Sequence, residues 1–403
     1  MKKLTIITLS LLISGCTYFD ISPYLDIIKS NTTLKEANKI TVNLLWSSDI
    51  GEARDYKTGV LQPVFKDGVS YSIDSTGYVS AINLLNGEPI WVYDLDMEVS
   101  SGLGLHDNKI FFGTNDGMYY GINIEKLISP YSFFDNVNFI NIFDDTEVKP
   151  DISLQLKSEA SSPAMGLDSL IFVKLDDGDT TAININKGII EWNYKGRNVP
   201  LSMKGSGSIS AFNNNIYVPR DDGNIISLQS STGKLNWLVS ISPRSGRNEL
   251  ESLRDVEISP VIDNGVLFIG SFQGNLIAVD TYNGSIIWSK PMSILSHMSI
   301  DNESLYVSDE SGAIYSIDRY DGKILWKKNL PAKIISAQTF VLDQYVISFS
   351  TQGHIILLNK LDGKVLTLKD ILNDIDQQSN GLLLDKVLYI VTKDGRLNAI
   401  KIN

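Results

Sequence analysis

The chain has 403 residues, 43% hydrophobic and 20% charged, with 35 basic residues against 47 acidic ones. This composition excludes a wholly disordered or collagen-like chain, and a net charge of −12 lacks the basic face that nucleic-acid binding needs. One cysteine, Cys16, and three scattered histidines, His106, His297 and His354, exclude an intrachain disulfide, a thiolate metal cluster and an HExxH site.

Met1-Lys2-Lys3 and the apolar run Leu4 to Ile13 read as a secretory signal, residues 1–15, too short to span a bilayer. Leu12-Ile13-Ser14-Gly15-Cys16 resembles the bacterial lipobox, which implies an acylated Cys16 as the mature N-terminus. Thr17 in place of Asp after it implies sorting to the outer membrane, facing the periplasm. Residues 16–39 carry no strand alternation and read as a tether, with a reach on the order of 80 Å when extended.

From residue 40 onward the chain repeats itself, the signature of a radial or solenoid fold. Eight turn glycines share one context: Gly77, Gly117, Gly178, Gly223, Gly274, Gly312, Gly353 and Gly395. A β-branched or aromatic run precedes each, and glycine there makes the tight turn of a hairpin. Four places later comes a small residue (Ala81, Gly121, Ala182, Ser227, Ala278, Ser316, Ala399; Leu357 is the exception), expected to let neighbouring sheets approach. Asp or Asn two places on is expected to accept hydrogen bonds from turn amides. A second glycine follows in six copies (Gly87, Gly188, Gly233, Gly284, Gly322, Gly363), then Trp91, Trp192, Trp237, Trp288 and Trp326, with Thr367 in the seventh copy. Each indole is expected to pack across the gap between sheets. Short strands and regular turns without helical periodicity predict an all-β fold, an eight-bladed β-propeller of four-stranded antiparallel blades.

The eighth copy ends at Asn403 without its tryptophan strand, and Ile40 to Ser47 at the front supplies one, with Trp46. That strand is expected to complete the last blade and close the ring, making 40–403 one propeller. Copy two is longer. Its surplus, about 125–150, holds Tyr131, Phe133, Phe134, Phe139 and Phe143 and reads as an insertion packing its own aromatics or as a partner loop. Asp151 to Lys157 is expected to form that blade's outer strand.

This unit resembles the quinoprotein repeat, found in quinone-dependent alcohol and sugar dehydrogenases and in the BamB family, lipoproteins of the outer-membrane barrel-assembly machinery. The lipobox, the short body and the absence of a cysteine pair from it favour BamB. Val199-Pro-Leu-Ser-Met-Lys-Gly205 and Leu253-Arg-Asp-Val-Glu-Ile-Ser-Pro260 are similar to two BamB connectors that contact the POTRA domains of the barrel subunit BamA. The resemblance implies partner-binding roles for Leu201, Met203, Lys204, Asp255 and Glu257, with Lys204 where the family has arginine and Glu257 where it has aspartate.

An independent feature marks the same stretches. Among the five tryptophans that follow a second glycine, the two longest intervals to the next turn glycine follow Trp192 and Trp237, in consecutive blades. The expected function is a non-enzymatic scaffold assisting outer-membrane protein insertion, with no catalytic residue, cofactor or metal, and unfolded outer-membrane proteins as further partners. The alternatives are a quinone-dependent dehydrogenase and an unassigned periplasmic binding propeller. Asp176-Asp177-Gly178-Asp179 reads as a repeat turn, because it lacks the distal glutamate of a calcium loop. The histidines read as surface or strand residues.

Overall fold

Eight four-stranded antiparallel sheets succeed one another in the computed structural model, which describes residues 40–51, 62–127, 149–197, 207–241, 256, 258–331, 334–375 and 381–403. Blades one to seven each use four consecutive strands. Blade one, for example, comprises Val64–Lys66, Val69–Ile73, Tyr78–Asn83 and Pro89–Asp94. The eighth takes Leu382–Leu384, Val387–Val391 and Arg396–Ile402 from the C-terminus and Val42–Asp49 from the front. The ring is therefore closed as expected, with Val42 opposite Ile402 and Asp49 opposite Arg396. Arg396 fastens the seam, its guanidinium donating to the Ser47 hydroxyl and carbonyl at 2.8 and 3.0 Å. Blade two takes its outer strand from Ile152–Gln155. The insertion leaves through a 3-10 turn, Ile124–Leu127; residues 128–148 lie outside the described residues, as do the signal, Cys16 and the tether.

Strand register explains the repeat. On the second, third and fourth strands of six blades an aromatic, a small residue and tryptophan lie side by side: Tyr71, Ala81 and Trp91; Phe172, Ala182 and Trp192; Tyr217, Ser227 and Trp237; Phe268, Ala278 and Trp288; Tyr306, Ser316 and Trp326; Tyr389, Ala399 and Trp46. The two rings meet above the small residue with centroids 5.7–6.2 Å apart. The small residue thus makes room for two aromatics within one blade, which differs from the expected spacing between blades. Blade seven replaces the set with Ile347, Leu357 and Thr367, so its larger middle residue occupies the space that the rings take elsewhere.

Each indole then crosses to the next blade. A Cβ on Gly233, Gly284, Gly322 or Gly363 would lie 2.5–2.8 Å from the ring of Trp192, Trp237, Trp288 or Trp326. Those indoles donate Nε1–H to the carbonyls of Ser230, Thr281, Arg319 and Lys360 at 2.8–3.0 Å. Trp46 packs on Gly87 in the same way, but its Nε1 finds no acceptor among the described residues, and the matching carbonyl of Leu84 accepts instead from the Tyr389 hydroxyl. Trp91 packs against Ile124 and Leu127, where blade two has its 3-10 turn in place of a hairpin. The Asp and Asn residues cap the hairpins as expected: Asp280 accepts from the amides of Tyr282 and Asn283 and Asn184 from those of Asn186 and Lys187, at 2.9–3.0 Å.

Candidate functional site

Antiparallel order gives the ring two unlike faces. In each blade the first and third hairpins open on one, here the hairpin face. The glycine turn between the second and third strands opens on the other, together with the connector to the next blade. The described ends of the two connectors that contain the stretches expected to bind a partner lie on that connector face.

Leu201, Met203, Lys204, Asp255 and Glu257 lie outside the described residues; the chain beside them is defined. The first connector follows Ile189–Tyr194 and arrives at Ser210–Phe212, and the second follows Leu235–Ser240 and arrives at Val261–Asp263. Their arriving ends are bonded to each other, Ser208 N donating to Ser259 Oγ at 3.0 Å and Ser210 Oγ to the Pro260 carbonyl at 2.7 Å. Val256 and Ile258, each 1% exposed, anchor the second connector in the apolar core with Ile241 and Leu267.

A charged seam lies alongside, which the sequence reading missed. Lys174, buried at the end of a blade-three strand, reaches the blade-four turn and pairs with Asp221 at 3.0 Å, while Arg220 in that turn faces Asp222 at 3.4 Å. Lys157 pairs with both Asp177 and Asp179 at 2.8 Å. Hydrogen bonds to those two carboxylates hold its ammonium above its usual range. Burial pushes the Asp179 carboxyl up, but Lys157 and the Gly196 amide outweigh it and hold the group below the carboxylate range. The acids of Asp176-Asp177-Gly178-Asp179 thus serve turn and ion pair: the Asp179 amide donates to Asp177 Oδ1 at 3.0 Å. Paired Asp-Asp-Gly turns in these two blades were the sequence signal for the seam.

At the axis, a cavity of about 440 Å³ opens among the starts of the inner strands, with Gln62, Leu103, Pro163, Ser208 and Leu382 in its wall. An anionic quinone with a calcium ion needs carboxylate ligands for the metal and cations for its own charge. The described lining holds no charged side chain, so these residues do not fit that cofactor.

The histidines are framework residues. His106 closes the inner strand Gly104–His106 of blade two, with Nε2 2.7 Å from the Asp168 carbonyl and its ring beside Gly166. His354 begins a blade-seven strand and bonds Ser350 at 3.1 Å. His297 departs from expectation. It is buried and outside any strand, and burial pushes its imidazole down to about 4.

A family model described as outer membrane protein assembly factor BamB matches residues 151–328. The BamB of Nitrosomonas eutropha is 26% identical over 350 residues, covering 87% of this chain and 78% of its own. Among solved structures, BamB from Moraxella catarrhalis superposes with a TM-score of 0.74 at 18% identity, covering 90% of this chain and all of its own. The quinohemoprotein alcohol dehydrogenase from Comamonas testosteroni reaches 0.63 at 13%, over 89% of this chain and 76% of its own; that likeness is one of fold. The repeat phase, the ring closure and the family match thus agree: the chain is similar to the BamB outer membrane protein assembly factors.

Proposed function

We propose that this protein is a non-enzymatic scaffold lipoprotein of the barrel-assembly machinery, anchored at Cys16 to the outer membrane and facing the periplasm. It holds the BamA-like barrel subunit through POTRA domains and assists folding and insertion of outer-membrane proteins. In this reading residues 1–15 are the removed signal, 16–39 the lipidated tether and 40–403 the working ring. The observation that carries it is the bonded pair of connector ends, Ser208 with Ser259 and Ser210 with Pro260, which joins two long loops of consecutive blades on one face. An apolar centre from Leu201 and Met203 with charges from Lys204, Asp255 and Glu257 fits the composition of a small interface hot spot.

Connector ends bonded to each other make a double substitution the informative test. Leu201→Ala with Asp255→Ala should weaken co-purification of the barrel subunit from native membranes about tenfold or more, with the melting temperature nearly unchanged. Undiminished recovery of the complex would count against these loops. The dehydrogenase reading is tested by titration with pyrroloquinoline quinone and calcium, where tight binding with dye-linked turnover would overturn the scaffold.

A further inference from the structure

Strongly exposed large apolar side chains are unevenly spread over the ring. Among the described residues none lies on the connector face; they occupy the hairpin face and the outer strands. Four stand at hairpin tips, two residues before the second glycine: Leu85 in blade one, Tyr282 in blade five, Tyr320 in blade six and Leu361 in blade seven, 89, 90, 68 and 85% exposed. Blades three and four carry Asn186 and Ser231 at that place. Blade eight, between seven and one, adds exposed Leu384 at its first hairpin and Leu44 on its outer strand. Among the described residues, the tips of one arc of one face are thus apolar, while those of blades three and four are polar.

The chain joins the ring within that arc. Thr41 exchanges backbone hydrogen bonds with Asn403 at the hairpin-face end of the closing strand, whereas Ile50, at its other end, bonds the Gly395 turn on the connector face. A single exposed leucine means little, but an arc of leucines and tyrosines around this point fits one occupant. We propose that the hairpin tips of blades five to eight and one seat in the interfacial layer of a lipid bilayer, as a second membrane contact beside the acyl anchor. Leucine inserts below the headgroups and tyrosine sits at their level, with its ring in the apolar boundary and its hydroxyl in the polar one. Tyr320 is held ready, its hydroxyl donating to the Asn302 carbonyl at 2.9 Å while the ring stays exposed. Asp321 and Asp362 alternate with Lys323 and Lys364 around the tips, so insertion rather than net charge supplies the attraction. The connector face then points away from lipid. The proposal rests on the lipoprotein reading only for which membrane lies near.

The test needs no acyl chain. The mature chain with Cys16→Ser contains no other thiol, so Leu361→Cys in that background takes a single polarity-sensitive dye, and Glu310→Cys places it on the connector face. With phosphatidylethanolamine vesicles containing a minor share of phosphatidylglycerol, the dye at 361 should shift blue and the dye at 310 should not. In flotation, Tyr282→Ser with Tyr320→Ser and Leu361→Ser, still melting cooperatively, should lower the vesicle-bound fraction about tenfold. Ile189→Ser with Leu235→Ser, on blades three and four, should leave it unchanged. Failure of the unsubstituted ring to float, an equal shift at 310, or unchanged flotation of the triple variant would each overturn the proposal. A dye at 361 already blue before vesicles and unmoved by them would also do so, pointing to residues 17–39 as the cover. Co-purification of the barrel subunit reads the scaffold function separately.

Discussion

The seam between blades four and five and the seam between blades two and three solve one packing problem differently. In the first, Trp237 lies on Gly284, its Nε1–H is bonded to Thr281, and the Tyr217 ring backs it. In the second, Ile152 stands at the tryptophan position, beside Gly121 and Phe111, and a Cβ on Gly188 would meet nothing within 4 Å among the described residues. Blade two closes with a short aliphatic strand after a long insertion. The tryptophan is therefore a solution each seam can drop, here with the aromatic and small positions, Phe111 and Gly121, retained. Blade seven, with Ile347, Leu357 and Thr367, drops it as well.

The largest effect should come from removing what all seams share, the closed circle. Deleting residues 395–403 takes away the strand that pairs with both Val42–Asp49 and Val387–Val391, and cooperative thermal unfolding should disappear; a truncated chain melting like the parent would end the closed-ring account. A smaller contrast separates the two seams directly. Gly284→Ala puts a methyl group 2.7 Å from Trp237 Cγ at a φ of +75° and should cost about 3 kcal/mol. Gly188→Ala, at +64° with no described residue in the way, should cost about 1 kcal/mol. Urea midpoints measure both, and equal shifts would mean that the glycines serve only the backbone. Smallest is the hydrogen-bond difference: Trp288→Phe strands the Arg319 carbonyl, whereas Trp46→Phe removes an N–H without an acceptor among the described residues. The first should lose about 1 kcal/mol more than the second.

Much of the ring was legible because its signals are local and repeated. Turn glycines, the Asp and Asn caps and the alternating strands set the blade count, and the missing eighth tryptophan strand with its spare copy at Trp46 set the closure. The aromatic partner of each tryptophan was equally available, ten residues before the small residue in every tryptophan-bearing blade, as with Tyr71 before Ala81 and Phe268 before Ala278. It was missed because a strand already rich in aromatics gives one ring no contrast until register singles it out. The paired Asp-Asp-Gly turns marked the charge on that seam, but the partner of Asp221 was not legible, since 47 residues separate it from Lys174 and only the radial arrangement brings them together. The connectors announced themselves by family resemblance and by length. Their tips carry no period, so spacing says where a partner loop begins and not how its side chains are set.

The closing strand has a mechanical consequence. A pull applied at Thr41 runs along the axis of a strand whose pairing with the C-terminal strand extends from Val42–Ile402 to Asp49–Arg396. Such a ladder is loaded in shear, so its bonds share the force instead of parting one at a time. The Arg396 clasp on Ser47 sits at the far end, where slip would have to reach last. The ring is thus held shut by the same strand through which any drag from the N-terminal side must pass, and its weakest covalent discontinuity, the gap between first and last residues of the circle, is also where load is most widely distributed.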